Sequence, residues 1–406
     1  VKRLVGGTLS TLMLASCLWL PGCATEPGEA PVEAEQESAS VSQVVTVAET
    51  TQAPLPYREF VLPPGGTVGG YAERTACLLE PVSEDSGSKG IRLLDLETGA
   101  NERVVSAPVN EGEGSNILSA RCSDAWLLWE ETVGDSLESP LDVQWALYAI
   151  PFDGIAASGD PVEVTASVGS AQSRPLFSVV GDTAYWMTNS AANARQEGVI
   201  DQARVWACDL PDGEPRVLYS TPSDAFTFSA QPGELLLTEA IDRNEDPGKL
   251  VVLDPENGSV LREIPLDNDG WLSHYTSYSD EMCAWSVGSD DGVNAGDFFF
   301  RDAGGEVTLV SKSANDSVFV GDYLFYEHKP YEAKGTSNRV QHWKVCALDT
   351  NTLEYFVVFD EEARVFGWVA PIGVAPRTDG YLMYRSVPSW ITEEEPGTWV
   401  RVYSIE

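Results

Sequence analysis

The chain has 406 residues, 43% of them hydrophobic and 10% aromatic, so it can bury a large core without metals or disulfides. Its 63 acidic residues against 25 basic ones give a formal net charge of −38. A body this anionic is repelled by phosphate backbones and anionic headgroups, which argues against nucleic acid or direct membrane-surface binding and leaves solubility outside the cell, cationic partners or divalent ions as reasons for the charge.

Lys2 and Arg3 form a charged start, and Leu4 to Leu20 an apolar stretch interrupted by Gly6 and Gly7. This pattern predicts a signal peptide over residues 1–22 rather than a stable membrane span. Leu20-Pro21-Gly22-Cys23 resembles the lipobox of bacterial lipoproteins, which implies that Cys23 is lipidated and becomes the new N-terminus of a chain carrying −40. Leu14-Ala15-Ser16-Cys17 matches the lipobox as well. Cys23 is preferred because the sequence turns polar directly after it, whereas Leu18-Trp19-Leu20 follow Cys17. The expected location is extracytoplasmic, anchored to the cell membrane through lipid alone.

Residues 23–56 are rich in Pro, Glu, Ala, Ser, Thr and Gln and hold no aromatic residue. Such a stretch cannot bury enough surface to offset its ordering entropy and is expected to be a disordered tether. As flexible coil it spans roughly 30 Å r.m.s.. Val44-Val45-Thr46-Val47 is its one β-prone patch.

From residue 57 onward one grammar recurs seven times. The aligned strands are Ala76-Cys77-Leu78-Leu79, Trp126-Leu127-Leu128-Trp129, Ala184-Tyr185-Trp186-Met187, Leu235-Leu236-Leu237-Thr238, Met282-Cys283-Ala284-Trp285, Tyr323-Leu324-Phe325-Tyr326 and Tyr381-Leu382-Met383-Tyr384. Their starts are 50, 58, 51, 47, 41 and 58 residues apart. Most follow a polar hairpin turn such as Gly181-Asp182, Pro232-Gly233 or Gly321-Asp322, where Asp and Gly supply the required backbone conformation. A polar loop leads to another strand, for example Val205 to Cys208 or Leu250 to Leu253. A second turn, such as Asn257-Gly258 or Gly304-Gly305, then leads to a closing strand. Near-continuous apolar strands mean that both faces are covered.

Repeats of this length without a helical period predict an all-β, seven-bladed β-propeller with four-stranded blades over residues 57–406. A stacked solenoid or two sandwiches is the competing architecture. The seventh unit runs out of chain at Glu406, and Tyr57-Arg58-Glu59-Phe60-Val61-Leu62 has the composition to supply its missing outer strand. A ring closed that way has no free sheet edge.

The strands and turns resemble the propeller repeats of the TolB-like (PD40) family, best over Leu147 to Thr165 and Val205 to Tyr219. The resemblance implies fold and export. The extra N-terminal α/β domain of TolB is not seen in this sequence, so TolB's specific partnership is not implied. Leu94 to Gly99 and Leu253 to Gly258 look like quinoprotein-type repeats, but the tryptophan that should follow is absent.

Reactive chemistry is sparse. There is no G-x-S-x-G, and His274, His328 and His342 form no H-x-H or H-E-x-x-H pair. Beyond Cys17 and Cys23, Cys77, Cys122, Cys208, Cys283 and Cys346 sit singly on or beside strands. No C-x-x-C occurs, so they read as small apolar packing rather than a disulfide framework.

The best metal candidate is Asp242, Asn244 and Asp246, which can turn three oxygens toward one Ca²⁺; a plain solvated turn is the competing reading, because Pro247 stands where the glycine of a Ca²⁺ loop belongs. No other cofactor is expected. Candidate ligand-binding residues are His328 and Tyr331, Trp390, and Trp271 with Tyr275, all on or near the loops expected to gather at one face.

The functional expectation is a monomeric, non-enzymatic binding or scaffold lipoprotein for an envelope protein, peptide or glycan. The alternative is an extracytoplasmic glycan lyase or hydrolase using acidic loop residues. The two differ in whether acidic side chains converge, buried and perturbed, at the loop face.

Overall fold

The protein is described by a computed structural model. It describes residues 48–49, 56–62, 67–72, 74–81, 89–110, 114–133, 144–167, 173–190, 202–240, 248–266, 273–287, 296–328, 340–364, 370–371, 380–386 and 398–404. All of them lie in one compact unit, Ala39–Glu406. Among the described residues there is no helix, and hence none long and apolar enough to cross a membrane.

The strands form antiparallel sheets, mostly of four strands in chain order. The first sheet is Thr67–Ala72, Thr75–Pro81, Lys89–Asp95 and Asn101–Val105. The second is Asn116–Cys122, Trp126–Val133, Gln144–Asp153 and Val162–Ala166, with the two-residue strand Ala156–Ala157 beside it. Leu176–Val180, Thr183–Asn189, Ala203–Asp209 and Arg216–Thr221 make the third. Asp224–Gln231, Glu234–Ala240, Lys249–Leu253 and Val260–Pro265 make the fourth.

An eight-stranded sheet follows, because the 14-residue strand Val307–Val320 serves two groups at once. Its first half pairs with Gly296–Arg301, which continues to Met282–Val287 and Ser273–Ser279. Its second half pairs with Tyr323–His328, which continues to Val340–Asp349 and Glu354–Arg364. Ala48–Glu49 adds to the far edge in parallel, opposite Glu354 and Tyr355. In the last sheet Ala370–Pro371, Gly380–Ser386 and Thr398–Ser404 come from the end of the chain, and Tyr57–Leu62 pairs with Thr398–Ser404 in the register Tyr57 to Tyr403.

Alternation explains the apolar strands. In Trp126–Val133, Trp126 and Leu128 pack toward the third sheet with Phe177, Val179 and Trp186. Leu127 and Trp129 on the opposite face pack toward the first sheet with Leu79, Ile91 and Leu93. The same division recurs between the third and fourth sheets and between the fourth and the group beginning at Ser273. A period-2 chain with both faces covered must be apolar at every position.

Aromatic residues directly opposite one another reinforce the middle of several sheets. Trp129 stacks on Tyr148 at 5.9 Å between ring centroids, Trp186 on Trp206 at 6.1 Å, and Trp285 on Phe299 at 5.5 Å. Each is a cross-strand pair.

The two kinds of turn are built differently. Between the first two strands of a sheet, Gly181 and Gly321 take positive φ (53° and 57°), as a two-residue hairpin of this twist demands. Between the last two strands, an aspartate closes the turn on itself. Asp95 Oδ1 accepts from the amides of Glu97 and Thr98 at 2.8 Å each, Asp254 Oδ1 from Glu256 at 2.8 Å, and Asp349 Oδ1 from Asn351 at 2.8 Å.

Candidate functional site at the loop-bearing end of the sheets

Antiparallel order puts the link between the second and third strands of a sheet at the same end as the passage to the next sheet. The long polar loops therefore issue from one end of each sheet. What stands at that end is a set of buried carboxylates. The residue directly after each aligned tetrapeptide is Glu80, Glu130, Thr188, Glu239, Ser286, Glu327 and Arg385 in turn. Glu80, Glu130, Glu239 and Glu327 are each no more than 2% exposed, and the adjacent Glu131 is fully buried. Carboxylates are rarely buried this deeply unless paired, so their partners define what the end of the sheet does.

Glu80 is held within its own sheet. Arg92 Nε donates to it at 3.0 Å, and Arg103 donates from Nε at 2.7 Å and from Nη2 at 2.6 Å. Glu130 reaches the next sheet: Arg174, which leads into Leu176–Val180, forks onto it with Nε at 2.7 Å and Nη2 at 2.8 Å. Ser119 Oγ adds a third donor at 3.1 Å. The hydrogen bond to Glu130 raises the Arg174 pKa above its usual value, against the opposing effect of burial. Two parallel charge-assisted bonds fix position as well as charge.

Glu131 closes the passage from the first sheet. Its carboxylate accepts from the backbone amides of Val109 (2.7 Å) and Asn110 (2.9 Å) and from Trp129 Nε1 (2.8 Å). Glu239 receives the hydroxyl of Tyr219 from the third sheet at 2.8 Å and lies 3.8 Å from Lys249 Nζ. Burial first, then the Glu239 bond, pushes the Tyr219 phenol well above its ordinary pKa, so it stays a donor. Neutral side chains make further contacts within and between sheets. Asn189 exchanges two hydrogen bonds with the backbone of Ala225 (2.8 and 3.1 Å). Thr227, Thr238 and Thr276 form a hydroxyl chain at 2.6 and 3.0 Å, and Ser277 meets Ser317 at 2.7 Å.

Chemically, Glu80, Glu130, Glu131 and Glu239 are acceptors engaged by arginine, tyrosine and amide donors. Glu130 and Glu239 latch one sheet to the next, and Glu80 ties strands within its own. Nothing in the expected list of sites pointed to them. The available signal was the repeated Glu after an apolar tetrapeptide, visible only once the seven units are aligned.

Of the residues expected at a ligand site, His328 is described. It ends Tyr323–His328, its Nδ1 is 3.0 Å from Ser311 Oγ, and Lys344 lies opposite it in the register. Burial, then the charge of Lys344, lowers its pKa, so the ring is neutral at pH 7. Tyr275 falls within Ser273–Ser279, but its side chain lies outside the described residues, as do Tyr331, Trp271, Trp390, Cys23 and the Asp242, Asn244 and Asp246 set. Among the described residues no three His, Cys, Asp or Glu side chains group to hold a metal ion.

No protein-family model matches the chain, and no curated protein does. Solved structures similar to it include the following. The propeller domain of the Trilobed protease from Pyrococcus furiosus is 13% identical over 67% of this chain and 79% of its own, with a TM-score of 0.44. TolB from Acinetobacter baumannii is 13% identical over 91% and 87%, with a TM-score of 0.37. The WD40 domain of SCAP from fission yeast is 12% identical over 83% and 84%, with a TM-score of 0.40. These likenesses concern the fold alone. The likeness transfers no site residue, ligand or activity.

Proposed function

We propose that the chain is a membrane-tethered, extracytoplasmic binding scaffold whose propeller presents its loop-bearing end to a protein, peptide or glycan. In this reading the sheets make seven blades, the long strand Val307–Val320 being shared by the fifth and sixth, and Tyr57–Leu62 closes the seventh. Residues 1–22 direct export, Cys23 carries the lipid, and residues 23–56 hold the propeller off the bilayer. The body acts as a monomer, and His328, Tyr331, Trp390, Trp271 and Tyr275 contribute to the binding face.

One observation carries the non-enzymatic reading. Glu80, Glu130 and Glu131 are each engaged by two or more hydrogen-bond donors and Glu239 by the Tyr219 hydroxyl, as structural supports at the ends of their strands. A glycan-cleaving site requires a pair of carboxyls held apart with one kept protonated. Carboxylate oxygens already occupied by arginine and amide donors have little room left to engage a sugar oxygen.

The test has two parts. Purified full chain is titrated against arrayed glycans and envelope peptides, alongside variants in which the loops 134–143 and 191–201 are replaced by Gly/Ser linkers. The reading expects ligand retention that is lost with the loops, while the same ligand is recovered chemically intact after long incubation. New reducing ends or unsaturated sugars in that incubation would overturn it in favour of a hydrolase or lyase.

A further inference from the structure

The interface between the first two sheets contains a feature that the binding reading does not use. Cys77 sits in Thr75–Pro81 of the first sheet and Cys122 ends Asn116–Cys122 of the second. Both are buried in the same core cluster, with Leu79, Ile91, Ala120 and Leu127 around them. Their sulfurs converge on one acceptor: the carbonyl oxygen of Gly70 is 3.4 Å from Cys77 Sγ and 4.0 Å from Cys122 Sγ. Cys122 Sγ also lies 3.4 Å from the Thr75 carbonyl.

Two glycines create this approach. A Cβ on Gly69 would stand 2.7 Å from the Ala120 carbonyl oxygen and 3.2 Å from Cys77 Sγ, and one on Gly70 would stand 3.0 Å from Arg121 Cδ. Only a strand bare of side chains at both positions lets the second sheet come close enough for the sulfurs to meet. The other described cysteines are distributed elsewhere. Cys208, Cys283 and Cys346 belong to three different clusters.

We propose that Cys77 and Cys122 are a cross-linking site, oxidised to a disulfide that ties the first sheet covalently to the second. The bond links residues about 45 apart in sequence and restrains a strand-to-strand interface rather than a loop. It forms by exchange with a small disulfide such as oxidised glutathione. The Cys77 thiolate attacks one glutathione sulfur and expels a glutathione thiolate, which takes up the proton. The Cys122 thiolate then attacks the mixed disulfide at Cys77, forming the Cys77–Cys122 bond and releasing a second glutathione. Two protein thiols are oxidised and one glutathione disulfide is reduced to two thiols.

The folded surroundings of the two thiols differ. Burial disfavours the Cys77 thiolate, yet the Cys122 thiol and the Arg121 charge outweigh it and hold Cys77 below the ordinary thiol pKa. The neighbouring Cys77 thiol, then burial, pushes Cys122 well above it. Because both sulfurs are shut away in the folded state, exchange takes place as the first two sheets assemble.

The experiment refolds the full chain with and without a mixture of reduced and oxidised glutathione, then maps every cysteine by differential alkylation and non-reducing peptide mass spectrometry. The expected result is one linked peptide pair containing Cys77 and Cys122, with Cys208, Cys283 and Cys346 still alkylated, and a thermal midpoint roughly 5 °C above that of the reduced protein. The C77S/C122S chain should unfold near the reduced protein's midpoint whichever buffer is used. If that variant fails to fold, the peptide map alone decides. Full alkylation of Cys77 and Cys122 after oxidative refolding, or their linkage to other cysteines, overturns the proposal. Because the oxidant is supplied in the buffer, the outcome is independent of where the chain resides and of what it binds.

Discussion

The two ends of the sheets hold neighbours together by different physics. At the end bearing the short hairpin turns, the second sheet meets the third through neutral donors: Ser123 Oγ to the Gly181 carbonyl at 2.9 Å and Trp126 Nε1 to Asp182 at 2.9 Å. The conformation of the turn itself does the rest. At the loop-bearing end the same two sheets are joined by the fork of the partly exposed Arg174 onto the buried Glu130. Backbone preference suffices where the connection is two residues long. Where it is long and polar, the chain ends strands such as Thr75–Pro81, Trp126–Val133 and Glu234–Ala240 with a buried, donor-engaged carboxylate near the point from which the loop departs.

Removing one member of the fork is the strongest way to break this comparison. Arg174→Ala leaves Glu130 buried with Ser119 as its remaining described donor, and should cost about 3 kcal/mol in urea unfolding. Arg174→Lys should recover only part of that, since an ammonium cannot fork. A loss below about 0.5 kcal/mol, the range of an exposed pair, would remove the distinction between the ends.

The turns allow a finer test. Gly258 has φ +72°, and a Cβ there would fall 2.0 Å from the carbonyl oxygen of Leu218 on the neighbouring sheet. Gly181 has φ +53° with nothing within 4 Å of an added Cβ. Gly258→Ala should therefore cost about 2 kcal/mol or more, from strain plus displacement of the third sheet. Gly181→Ala should cost about 1.5 kcal/mol from conformation alone. Equal costs in chemical denaturation would mean that sheet-to-sheet contact at Gly258 contributes nothing.

The smallest effect is pH-dependent. Burial opposes ionisation of Asp95, but the amides of Thr98 and Glu97 and the nearby Arg74 win, and its pKa is lowered. A carboxyl whose folded pKa lies below its unfolded value of about 3.9 stabilises the fold fully above that pH and loses the contribution as pH falls through the folded pKa. Asp95→Ala should cost about 1 kcal/mol at pH 7. The deficit should vanish below the folded pKa, when acid unfolding of the two proteins is compared.

Much of the fold was legible in the sequence because burial on both faces leaves an unbroken apolar signature, as in Leu127 to Trp129 or Leu235 to Leu237. The Asp-Gly turns were legible for the same reason: few residues tolerate positive φ. The innermost strands were harder to read. Asn116–Cys122 reads NILSARC and Asp224–Gln231 reads DAFTFSAQ, mixtures of small and polar residues whose hydroxyls meet across sheets. The carboxylate latches were hidden because Glu130 and Arg174 are 44 positions apart and only folding brings them together. Cys77 and Cys122 read as isolated packing residues for the same reason. The contacts that matter are between repeats, and a periodic sequence advertises what lies within one.

The most direct test of the account is the proposed closure of the ring by Tyr57–Leu62 against Thr398–Ser404. Chains beginning at Pro56 and at Pro63 should be compared by thermal unfolding and by amide hydrogen exchange over the last strand. The account predicts that the shorter chain loses protection across Thr398–Ser404 and unfolds at least about 10 °C lower. Equal midpoints with that strand still protected would contradict it.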